Sequence, residues 1–179
     1  MIRELVMSEP VIIVDYNPAW PRLYEEERTR ILNAIGGFIE DIQHVGSTSV
    51  PGLGAKPIID IMIGIHKLSL VNKCVQPLQS LGYDYRGESG IPGRYYFRKP
   101  LKALTSHRTH HIHMVKTNHD GWKRNILFRD YLLTHPEDSK QYEALKRALA
   151  KQFGSDREGY TDAKTEFIET VLVKATLGE

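Results

Sequence analysis

His44-Val-Gly-Ser-Thr-Ser-Val-Pro-Gly-Leu-Gly-Ala-Lys-Pro-Ile-Ile-Asp-Ile-Met-Ile-Gly64 reads as the end of one strand, a polar glycine loop and a buried strand. Gly46 frees the backbone for a tight turn, and Ser47, Thr48 and Ser49 set three hydroxyls beside backbone N–H groups, a surface suited to phosphate oxygens. The run from Pro57 to Gly64 is apolar except for Asp60, an acid among four isoleucines and a methionine. Period-two alternation puts Ile58, Asp60 and Met62 on one face and Ile59, Ile61 and Ile63 on the other, so Asp60 points to the loop side or into a cleft. The plainer alternative is an acid bonded to a nearby backbone or arginine beside an ordinary turn. A Walker-type loop is excluded, because Lys56 is followed by Pro57 where that motif needs a hydroxyl opening a helix.

Working outward, His110-His111-Ile112-His113 is the second concentration of chemistry. On a strand, His111 and His113 share a face, close enough for both imidazoles to bind one metal, with Asp60 as candidate third ligand. Two nitrogens and one carboxylate suit zinc, manganese or iron more naturally than magnesium, which prefers oxygen. The other reading is a pair of hydrogen-bonded, half-buried strand residues. Arg94 follows the rigid turn Gly90-Ile91-Pro92-Gly93, which would aim its guanidinium, a planar fork suited to phosphate. Solvated surface charge is the bland account of Arg94 and Lys56.

Periodicity predicts a strand over 11–14 and a helix from Asn17 as cap and Pro18 at the first helical position to Ile35. Strands are expected at 38–45, 57–65, 83–86, 94–98 and 108–116, with a helix over 68–81 that contains Pro77. Three C-terminal helices are expected at 119–134, 136–153 and 156–175. This order implies an α+β domain with a mixed, largely antiparallel sheet covered by helices, and no linker divides residues 1–179.

A chain of 179 residues with 41% hydrophobic and 26% charged residues has the composition of a soluble globular domain. Its net charge of +2 gives no support for nucleic acid as a partner. The single cysteine, Cys74, lies in an apolar helical pattern and reads as a buried thiol in a reducing compartment. Residues 1–7 lack the apolar core of a signal peptide and no run reaches membrane-spanning length, so cytoplasmic localisation is expected and a membrane is not.

A Gly-Ser pair followed by an Asp on a hydrophobic strand resembles the signature of the polymerase-β-type nucleotidyltransferases. Nearly end to end, the sequence is similar to the GrpB family, in Val14–Trp20, His44–Asp60, Gly90–Arg94, Arg108–His113, Phe128–Leu132 and Tyr160–Lys164. The resemblance implies a palm-like sheet with C-terminal helices and a nucleotide or nucleotide-bearing metabolite held by Gly46, Ser47, Thr48, Ser49, Lys56 and Arg94. It also implies a divalent metal (zinc, manganese or magnesium) at Asp60, His111 and His113, with Asp60 and Lys56 as catalytic groups of nucleotidyl transfer. One departure matters, since Met62 stands where the superfamily places a second carboxylate. Two other readings stay open. One is a catalytically silent module binding a nucleotide or coenzyme A-related ligand, because relatives fused to dephospho-coenzyme A kinase suggest that association by analogy. The other is a metal-dependent phosphohydrolase using Asp60, His111 and His113. Lys164 is matched within the family segment at 160–164 and either pairs structurally or reaches the cleft.

Overall fold

The computed structural model describes residues 10–100 and 107–178; the reading of residues 1–7 lies outside them. In chain order the elements are helix α1 (Trp20–Ile35), strands β1 (Ile39–Val45) and β2 (Ile59–Ile65), helix α2 (Val71–Ser80), strands β3 (Asp84–Tyr85), β4 (Tyr95–Lys99) and β5 (His110–Val115), and helices α3 (Asp120–Thr134), α4 (Pro136–Phe153), α5 (Arg157–Asp162) and α6 (Thr165–Leu177). The five strands form one sheet in the order β1-β2-β5-β4-β3. Only the β2–β5 pairing is parallel; the other three are antiparallel. The mixed, largely antiparallel α+β architecture expected from the sequence is the one observed.

β2 is apolar because it has neighbours on both edges and cover on both faces. Ile59, Ile61, Ile63 and Ile65 join the main core, which also takes Trp20, Ile31 and Ile35 from α1, Val71, Cys74 and Leu78 from α2, and Phe97, Ile112 and Met114 from the sheet. Met62, on the opposite face, packs with Val45 and Val115 beneath Trp122 and Ile126 of α3. The side chain in the second-carboxylate position is therefore core, with 2% of its surface exposed. Cys74 is fully buried, and burial pushes its thiol up to about 11.

Three local expectations change. Residues 11–14 do not form a strand: Val11 donates to the Gly154 carbonyl while Val14 makes a single bridge to Ala55. The amides of that segment are divided between two partners, so no ladder extends. α1 begins at Trp20, not Pro18; Asn17 Oδ1 accepts from the Ala19 amide at 2.9 Å, and Pro21 occupies the first turn. The last expected helix is two, α5 and α6, separated by a turn at Ala163 and Lys164 in which the Lys164 amide donates to the Thr161 carbonyl; Tyr160 packs with Val11 and Leu149, and Val171 joins Tyr131, Leu132 and Tyr142. A short 3-10 turn, Leu68–Leu70, precedes α2, and Pro77 sits inside α2 without ending it.

The α1 stripe carries one residue that its pattern does not explain. Glu27 is fully buried between Tyr24 and Ile31. Its Oε1 accepts from Tyr83 Oη at 2.9 Å and Lys99 Nζ at 3.0 Å, and its Oε2 from Arg30 at 2.9 Å.

Candidate functional site

On the sheet face opposite the main core, a cleft of about 490 Å³ opens between the loop after β1, the start of β2 and the C-terminal helices. Asp60 lies at its floor. In the β2–β5 register Asp60 stands opposite His111 and Met62 opposite His113, so both imidazoles project from the strand beside the carboxylate. His111 Nδ1 is 3.1 Å and His113 Nε2 3.9 Å from the same oxygen, Asp60 Oδ1. One donor atom from each of the three residues falls within 4.8 Å of the others. Burial works to raise the Asp60 carboxyl, but hydrogen bonds from His111 and His113 outweigh it and hold the group well below the usual carboxylate range. His113 is itself lowered, chiefly by burial. Tyr96 backs the pair, stacked on His113 at 5.2 Å and edge-on to His111 at 5.4 Å.

The glycine loop closes directly over this acid. Gly46 has φ +72° and ψ −176°, and a Cβ there would lie 2.8 Å from Asp60 Oδ2. Both conformation and contact demand glycine. Gly46→Ala is expected to destabilise the fold by about 1–3 kcal/mol, the cost of that backbone region for an L-residue, and to push the Asp60 carboxylate away from the histidines. Thermal melting of the variant checks the first effect, and the chemical shifts of His111 and His113 the second.

Gly46, Ser47, Thr48, Lys56, Asp60 and His111 line the cleft. Ser47 Oγ accepts from Lys146 Nζ at 2.8 Å, and the same ammonium donates to the Gly54 carbonyl. Thr48 Oγ1 is bonded to His44 Nε2 at 2.9 Å, and burial holds that imidazole down at about 4. Ser49 donates its hydroxyl back to the Gly46 carbonyl, so it closes the turn and is not part of the cleft lining. Arg94 is also outside that lining: its Nη2 donates to the Ser89 carbonyl at 2.8 Å and its guanidinium lies 5.6 Å over Tyr96.

Two lysines dominate the opposite wall. Lys146 of α4 is 2% exposed, and burial pushes it down to about 7. Lys164, in the break between α5 and α6, is pushed down to about 8 by burial and then by the charge of Lys56. Sequence reading left Lys146 unremarked, although it keeps register with Tyr142 and Leu149 on the buried stripe of α4, where a charge needs a purpose. Tyr142, Phe128, Tyr160 and Ile168 supply the apolar part of the wall. Arg124 reaches the cleft too, but Glu169 engages it in a paired bond at 2.7 and 3.0 Å.

Comparison with known proteins bears on the family and the fold. The family model described as GrpB protein matches residues 10–174. UPF0157 protein YqkA of Bacillus subtilis (strain 168) is 39% identical over 166 residues, covering 93% of this chain and 47% of that protein. The chain thus spans about half of that relative's length. Glutamate-rich protein GrpB of Alkalihalophilus pseudofirmus is 39% identical over 165 residues, covering 90% of this chain and 94% of that one. The crystal structure of conserved protein GrpB from Enterococcus faecalis superimposes with a TM-score of 0.82 at 34% identity, over 92% of this chain and 96% of that chain.

Proposed function

This chain belongs to the GrpB family, and we propose that its cleft binds a nucleotide with a divalent metal ion and supports nucleotidyl transfer. One observation carries the reading: Asp60 and His111 line the same cleft as Lys56, Lys146 and Lys164, and His113, outside that lining, brings its Nε2 to 3.9 Å from Asp60 Oδ1. The donor set fits a metal. Ligand atoms about 2.0–2.1 Å from a tetrahedral ion lie about 3.3 Å apart, and Asp60 Oδ1 is 3.1 and 3.9 Å from the two imidazole nitrogens. Two nitrogens and one oxygen favour zinc or manganese over magnesium.

A metal held there would act as a Lewis acid on a phosphoryl oxygen. The chain's own groups do the rest. Lysine ammonium groups neutralise the phosphates, and their charge favours departure of a diphosphate when an acceptor attacks the α-phosphorus. Ser47 and its bond to Lys146 fix the loop against that wall. Phe128, Tyr142 and Tyr160 give a base or another flat group apolar surface and exclude water.

A second reading has its own support in the burial of Met62, which leaves one carboxylate where superfamily catalysts place two. On that reading the cleft recognises a nucleotide or a coenzyme A-related metabolite without turning it over. Calorimetric titration of zinc and manganese, then of a nucleoside triphosphate with and without metal, tests the proposal on the wild type and on His111→Ala. Stoichiometric metal binding that weakens at least about tenfold in the variant, together with metal-dependent nucleotide binding, upholds it. Nucleotide binding indifferent to metal and to His111 supports recognition alone, and absence of both removes the nucleotide reading.

A further inference from the structure

The lysine wall holds more positive charge than the protein itself satisfies. Lys56 Nζ sits 5.4 Å and Lys164 Nζ 4.3 Å from the ring centre of Tyr160, which is 1% exposed. Each ammonium has three donors, and among the described residues neither group has a hydrogen-bond or ion-pair partner beyond that ring. Lys146 spends two donors, on Ser47 Oγ and the Gly54 carbonyl, and stands 4.9 Å from the Tyr142 ring. The nearby acid Glu143 is taken by the Gly54 amide and by Arg147, and Arg124 is matched by Glu169. Three ammonium groups are thus left facing one carboxylate, Asp60. Like charges gathered in a half-dry cleft repel one another, and burial works against each of them.

We propose that Lys56 and Lys164, over Tyr160, and Lys146, over Tyr142, form a diphosphate subsite that binds two adjacent phosphates without metal. It deepens the nucleotide reading above, because it names the part of the ligand that this wall takes, yet it makes no use of the metal donors. Three cations on three separate segments need several acceptor oxygens spread over one ligand. Two linked phosphates supply them, whereas a lone carboxylate offers two oxygens and one charge. Lysine suits the task as a flexible point charge that adjusts to the group it meets. The diphosphate belongs either to free pyrophosphate or to a nucleotide, and both present the same chemistry to the lysines.

The full chain, stripped of metal with a chelator, is titrated with inorganic pyrophosphate, ADP and, as a control, sulfate. Pyrophosphate is expected to bind near one equivalent and above sulfate, and to lose at least about tenfold in affinity in Lys164→Gln and in Lys56→Gln, as loss of a charged hydrogen bond implies. ADP binding tighter than pyrophosphate assigns the group to a nucleotide, the reverse order assigns it to free diphosphate, and either upholds the subsite. No binding by the chelated protein, or binding unchanged in both lysine variants, overturns it. Pyrophosphate that binds only with metal also overturns it, while the metal-dependent reading of the cleft survives. Pyrophosphate binding by a chain that takes up no metal has the opposite meaning: the subsite stands and the metal part of the proposed function fails. On the wild type, reductive labelling with pyridoxal phosphate, an aldehyde carrying its own phosphate, should concentrate on Lys164 and be suppressed by pyrophosphate. Labelling scattered over surface lysines and indifferent to pyrophosphate counts against the subsite.

Discussion

Glu27→Ala is expected to destabilise the fold by about 3 kcal/mol, the lower end of the range for breaking a buried ion pair by removing one partner. The carboxylate has no exposed surface and serves Tyr83, Lys99 and Arg30 at once. Removing it strands the Tyr83 hydroxyl, fully buried in the core, and the Lys99 ammonium, 21% exposed. Arg30, at 56% exposure, recovers water, which keeps the cost from the upper end. For a chain of this length the melting temperature should fall by about 10 °C. The contribution depends on pH. Burial raises the Glu27 carboxyl, but hydrogen bonds and charge from Lys99, then the bond from Tyr83, outweigh it and leave the pKa below the ordinary 4.5. A lowered carboxyl stabilises the fold above its unfolded value and loses that contribution as pH falls through the folded one. The gap in stability between wild type and Glu27→Gln should therefore be widest at neutral pH and narrow below about 4.5. Denaturant melts at pH 7 and pH 3 measure it, and a gap that widens in acid contradicts the argument.

Glu27 also shows where sequence reading stops. Helical spacing sets Glu27 on the α1 face that carries Trp20, Tyr24, Ile31 and Ile35, but the cation that balances a buried acid there, Lys99, lies 72 residues away and across the sheet. The same asymmetry holds at the cleft. Asp60 was legible because a lone acid in an isoleucine run violates its surroundings, and His111 and His113 because strand alternation alone gives them a shared face. Their meeting was not legible from alternation. It needs the parallel β2–β5 register, set by a pairing between segments 51 residues apart. Arg94 illustrates the converse: a rigid turn does aim its side chain, but at the Glu88 and Ser89 carbonyls just before that turn, a contact that composition cannot reveal. The break at Lys164 was hidden because Gly159-Tyr160-Thr161-Asp162-Ala163 holds no proline, and the tightened turn, in which the Lys164 amide donates to the Thr161 carbonyl, has no residue type that announces it.

Asp60→Asn should lower affinity for zinc or manganese by at least about 100-fold, since losing even a supporting partner of a metal ligand costs 10–100-fold. Asparagine keeps the shape of aspartate and an oxygen that can accept from His111 Nδ1, now 3.1 Å away. Only the charge is removed. The contact that forbids a Cβ at Gly46 involves the Asp60 side chain in its present place, and an isosteric amide preserves that fit. Melting of the metal-free variant should therefore fall only by what the Asp60 charge contributes beside His111 and His113, with the packing kept, while metal binding is lost. The anion wall should respond in the opposite sense. Asp60 is the carboxylate whose charge supports the protonated forms of Lys56 and Lys164 from across the cleft, and it also repels any phosphate approaching them. At pH 6, below the values of about 7 and about 8 to which burial pushes Lys146 and Lys164, the ammonium groups stay charged, and removing that repulsion should leave metal-free pyrophosphate affinity equal to the wild type or higher. Opposite movements of the two affinities in one variant would separate a metal centre from a phosphate wall within a single cleft. A parallel loss of both would mean that the lysines hold phosphate only through what Asp60 binds, and the cleft would then be one site with one ligand set.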